Sequence, residues 1–97
     1  MNNQFGSKIK ALREHNKLYL RQVAAHLDMD TAQLSKIEKG VRQLKKEQLP
    51  YITKLLKADK EELQTLWLAD QLYNVIDGEP MADEALKSVS KKIKKNK

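Results

Sequence analysis

The chain has 97 residues and a formal net charge of +6, enough sequence for one small domain. It contains no cysteine, which excludes a disulfide scaffold and thiolate metal sites, and no apolar run of about 18 residues, which excludes a transmembrane helix. Charge is spread unevenly: residues 1–50 carry ten Lys/Arg against five Asp/Glu, residues 58–86 one Lys against eight acids, and residues 87–97 six Lys and no acid. A basic front half suits a polyanion, and the acidic middle is expected to face away from it. The opening MNNQFGSKIK lacks the apolar core of a signal peptide, so a cytoplasmic protein is expected.

No stretch alternates apolar and polar residues for long and β-branched residues are sparse, which predicts an all-α chain. A first helix is expected over about 4–16, with Phe5, Ile9 and Leu12 on one face. A second covers about 20–27, with Leu20, Val23, Ala24 and Leu27 on one side. Asp28-Met29 makes a tight turn, and Asp30 is a good N-cap for a third helix over about 31–39. Gly40 stands where a left-handed C-terminal cap is wanted. A fourth helix is expected over about 46–57, with Leu49, Ile52, Leu55 and Leu56 inward and Pro50 in its first turn. Asp59 with Glu62 forms a variant capping box that opens a fifth helix over about 60–77, stopped by Gly78. Pro80 then starts a sixth helix over about 80–95, striped by Ala82, Ala85, Leu86, Val89 and Ile93. A division is expected near residue 58, between a core of residues 1–58 and a helical hairpin extension of residues 59–97.

The third helix carries the chemistry. On a helical wheel Leu34 and Ile37 must face inward, with Glu38 beside them, while Ala32, Ser35, Lys36 and Lys39 face away and Thr31 and Gln33 lie at the N-terminal flanks. A helix presented to a major groove reads bases with such residues. Lys36 can donate to guanine, Gln33 can pair with adenine, Ala32 can touch a thymine methyl, and Thr31 or Ser35 can serve either base type. An ordinary solvated surface has an equal claim on them when this helix is read alone. Phosphate grips are expected to flank it: Arg21 and Gln22 near the start of the second helix, and Lys39, Arg42, Lys45 and Lys46 after the third.

Residues 6–63 resemble the Cro/C1-type helix-turn-helix domain of the XRE family. The resemblance is carried by Gly6, Ile9, Arg13, Leu18, Val23-Ala24, Leu27, Leu34-Ser35, Ile37-Glu38, Gly40, Arg42, Leu49, Ile52, Leu56 and Leu63, and LSKIEKGVR is its most specific part. It implies a lambda-repressor-like five-helix DNA-binding domain with a C-terminal helical extension, and double-stranded DNA as partner. It also implies an interior ion pair of Arg13 with Glu38, which a buried carboxylate needs. Two departures stand out. Tyr19-Leu20 replaces the family's usual Ser/Thr-Gln start of the second helix, where the Gln holds a phosphate. Leu44 stands where a proline is common.

The fifth helix presents Leu63, Leu66, Trp67, Leu68, Leu72, Tyr73, Val75 and Ile76, more apolar surface than one short neighbour covers. A homodimer using Leu66, Trp67, Tyr73 and Ile76 is therefore expected, with packing of the sixth helix on the fifth as the alternative. Two reading helices on a two-fold axis would read a palindrome with half-sites about 34–36 Å apart or a multiple of it. The segment TLWLADQLYNVI and the helix after it are similar to small regulators found beside DNA methyltransferase and restriction genes in bacteria. The terminal lysines, Lys87 to Lys97, form a solvated tail or a second DNA contact. The Ala- and Val-rich stripe, lacking Trp and Phe, argues against a membrane-surface helix. His15 and His26 lack metal-ligand spacing, and no Gly-rich phosphate loop or recognisable nucleophile is present. No enzyme, metal, cofactor or small-molecule ligand is expected. The expected function is a dimeric, sequence-specific transcriptional regulator, a repressor or autoregulator; the alternative is an antitoxin-type protein-interaction module that also binds DNA.

Overall fold

The computed structural model describes residues 3–96, and every regular element among them is helical. The order is α1 (Gln4–His15), α2 (Leu20–His26), α3 (Thr31–Glu38), a 3-10 turn at Lys46–Gln48, α4 (Leu49–Leu55), α5 (Lys60–Ile76) and α6 (Ala82–Lys95). The all-α architecture read from the sequence is the one observed.

Local signals set most of these limits. Asp30 Oδ1 accepts the Gln33 amide at 2.7 Å and starts α3. α3 ends in a Schellman turn: the Val41 amide donates to the Lys36 carbonyl at 2.9 Å and the Gly40 amide to that of Ile37 at 3.1 Å. Gly40 sits at φ +79°, as that turn requires. The helix expected over about 46–57 is divided. Gln48 Oε1 accepts the Lys45 amide at 3.0 Å, tightening the first turn to 3-10 form before Pro50 enters the first turn of α4. Asp59 Oδ1 accepts the Glu61 amide at 3.2 Å. Glu62 pairs with Lys8 Nζ at 3.1 Å. α5 thus starts on a simple cap, not on the reciprocal capping box expected. α6 begins at Ala82, two residues later than expected, because a turn runs through Pro80 and Met81.

The core is built from Phe5 and Ile9 of α1, Val23, Ala24 and Leu27 at α2, Leu34 and Ile37 of α3, Leu49, Ile52 and Leu56 at α4, and Leu63 of α5. Leu44 joins them from the loop after α3. Each large apolar side chain so buried contributes about 1.5–3 kcal/mol, more than a typical cap of about 1 kcal/mol. The packing crosses the division expected near residue 58. Leu63 is fully buried, Leu66 and Trp67 lean on the same cluster, and Trp67 Nε1 donates to the Leu44 carbonyl at 2.7 Å.

Two long-range polar contacts close the globule. Asn16 Nδ2 donates to the carbonyls of Leu12 at 2.7 Å and Leu56 at 3.0 Å, tying the end of α1 to the end of α4. Buried Asp70, on α5, accepts the amides of Phe5 at 2.9 Å and Gln4 at 3.3 Å. The first amides of α1 have no carbonyl one turn back, so this carboxylate serves as a cap from 65 residues away. Beyond Asp70 the chain leaves the core, and α6 buries none of its residues.

Candidate nucleic-acid interface

The site is assembled on α2, the turn after it, and α3. At the start of α2 the Tyr19 amide donates to Gln22 Oε1 at 2.7 Å, and the Arg21 guanidinium lies 4.7 Å over the Tyr19 ring. The tyrosine that departs from the family pattern thus orients Arg21. α2 ends where Asp28 takes a left-handed conformation, φ 56°, with the Met29 amide donating to the Ala24 carbonyl at 3.0 Å. An aspartate tolerates that conformation better than most residues. Asp30 then caps α3, and Val23, Ala24 and Leu27 of the first arm share the core with Leu34 and Ile37 of the second.

That shared core fixes the rotation of α3. Leu34 and Ile37 are 0 % and 2 % exposed. Thr31, Ala32, Lys36 and Lys39 are exposed, and Gln33 and Ser35 are half-buried at the edges of the same face. Glu38 lies inward. Its carboxylate accepts from Arg13 Nε at 2.8 Å and from the neighbouring guanidinium nitrogen at 3.2 Å, and Arg13 also donates to the Leu18 carbonyl at 3.0 Å. The bond to Glu38 is the main cause that raises the Arg13 pKa above its ordinary value. With Glu38 matched inside, the outward charge comes from Lys36 and from Lys39 at the C-cap.

α1 lies hard against the end of α3. A Cβ on Gly6 would sit 2.5 Å from the carbonyl oxygens of both Ile37 and Glu38, so only glycine fits there. Asn3 Nδ2 donates to the Glu38 carbonyl at 2.9 Å in the same corner. An open groove runs between the two helices, lined in part by Ser7, Lys10, Ser35 and Lys39. Ser7 and Lys10 are residues the sequence reading did not single out. Their nearness to α3 comes from the crossing of α1, which leaves no local pattern.

Arg21, Lys39, Arg42, Lys45 and Lys46 are all exposed, and none makes an ion pair with another described residue. Gln22 is exposed as well; its carbonyl is used at the α2 cap, which leaves its amide nitrogen to donate outward. Lys39, Arg42, Lys45 and Lys46 follow the reading face along the loop to α4, where phosphates flanking a groove would lie. The four residues expected at a dimer contact divide. Leu66 and Trp67 lean on the core, Ile76 is half-buried and Tyr73 is exposed. No group of three or more His, Cys, Asp or Glu able to hold a metal occurs among the described residues, and no described helix is long and apolar enough to cross a membrane.

Residues 4–66 match the family described as a helix-turn-helix domain. The match spans more than half of the chain, and the chain belongs to that family. A helix-turn-helix domain implies DNA binding. No curated protein and no solved structure matches the chain.

Proposed function

We propose that this protein is a sequence-specific transcriptional regulator of the Cro/C1 type in the XRE family, acting in the cytoplasm as a homodimer on a palindromic operator and repressing or autoregulating a nearby operon. The observation that carries this reading is the rotation of α3: its apolar pair is sealed while Ala32 and Lys36 stand free beside Thr31, Gln33 and Ser35. Small and polar side chains there let the helix approach base edges closely, and Lys36 supplies a donor for guanine. Control of restriction and methyltransferase genes is the narrower form of the reading and rests on sequence resemblance alone.

Selection of bound sites from random DNA tests it. The expected result is an enriched palindrome with half-sites about 34–36 Å apart or a multiple of it. Lys36→Ala should relax preference at one base step, at about 1–3 kcal/mol. Lys46→Ala should weaken all sequences alike and lower the slope of log affinity against log salt by about 0.9. Retention of random DNA without enrichment, by wild type and both variants alike, overturns the reading.

A further inference from the structure

Two apolar stripes are left over once the core is complete. On α5, Leu68, Leu72 and Val75 follow i, i+4, i+7 and lie opposite Leu63, Leu66 and Asp70, which face the core. On α6, Leu86, Val89 and Ile93 follow i, i+3, i+7 and are 40 %, 51 % and 59 % exposed. The stripes meet: Leu72 shares an open groove of about 320 Å³ with Leu86, Val89, Ser90, Ile93 and Lys94. Single exposed leucines need no explanation, but six exposed apolar residues on two stripes that meet at Leu72 do. α6 is also polarised along its length, with Asp83 and Glu84 in its first turn and Lys92, Lys94 and Lys95 in its last.

We propose that this face is covered by the same face of a second copy, with the two α6 helices antiparallel. The proposal rests on the homodimer of the preceding reading and places its contact on α6 and the outer stripe of α5. Charge complementarity selects the occupant. A two-fold axis makes a patch meet itself. Antiparallel pairing sets Leu86 against the partner's Ile93, and Asp83, on the flank of the stripe, against the partner's Lys94. Parallel pairing would set lysine on lysine. An anionic membrane would attract the lysine end but repel Asp83, Glu84 and the acidic stretch of residues 58–86. Trp67 has no part in the seam, because its indole is held by the Leu44 carbonyl.

The test is the mass of the full chain in solution without DNA, by sedimentation or light scattering across the micromolar range. Wild type should be a dimer, and Val89→Glu and Leu72→Asp monomers with unchanged helical circular dichroism. Asp83→Lys alone and Lys94→Glu alone should each raise the dimer dissociation constant about tenfold, or about 1.4 kcal/mol shared between two symmetric contacts. The double variant should recover most of the loss. That recovery cannot come from helix stability, since both changes oppose the helix dipole. A wild-type monomer, a Val89→Glu protein that stays dimeric, or a double variant as weak as its parents overturns the proposal. So does wild type that remains monomeric and pellets with phosphatidylserine vesicles. Operator selection on the same proteins separates the two readings. Enriched sites with no α6 seam sink only the seam, and a seam without enriched sites sinks only the DNA reading.

Discussion

α3 and α6 are both amphipathic helices with lysines on the polar face, yet they end in opposite states. α3 seals its apolar side completely and presents polar chemistry to solvent. α6, almost twice as long, seals nothing and presents its apolar side as well. Burial on one side makes α3 a rigid platform, because its rotation is set by the core rather than by whatever it touches. α6 has no such constraint inside one copy. Helix propensity and charge pattern alone therefore do not distinguish the proposed reading surface from the proposed assembly surface; the state of the apolar face does.

That contrast can be broken by substitution. Leu34→Ala should cost about 3 kcal/mol in urea titration, while Leu86→Ala, measured at dilutions where the chain is monomeric, should stay within about 0.5 kcal/mol. Equal losses would mean that α6 is held by its own chain after all. Glu38→Ala leaves the Arg13 guanidinium buried without its partner and should likewise cost about 3 kcal/mol; a loss below about 1 kcal/mol would place the pair with ordinary surface bridges. Gly6→Ala forces α1 off the end of α3 and should cost about 2 kcal/mol, with affinity for DNA falling as α3 shifts. Asp70→Ala removes the cap on α1 and should cost about 1 kcal/mol, with faster hydrogen exchange at the Phe5 amide as its local signature.

The order and approximate length of the helices were legible because periodicity and caps are local. The same holds for the orientation of α3, since Leu34 and Ile37 leave only one way to seal the helix. Leu44 was not legible as core: a lone leucine among polar loop residues has no period to betray it. Trp67, aromatic and amphipathic, reads in the sequence as interface material. Its inward direction depends on the Leu44 carbonyl, 23 residues away, which no pattern within α5 encodes. Asp70 looked like one more acid in an acidic stretch, and only the return of α5 to the start of α1 gives it a role. Lys10 beside α3 and Lys8 paired with Glu62 were hidden in the same way, by helix crossings rather than by sequence neighbours.

The Asp70 contact also has a kinetic consequence. The leading amides of α1 gain this carboxylate partner only when residue 70 has been made and brought back, a closure across 65 residues. Loop entropy makes such a closure slow relative to forming the neighbouring α2–α3 turn. α2 and α3 should therefore gain structure early in refolding, and the front of α1 should lock last.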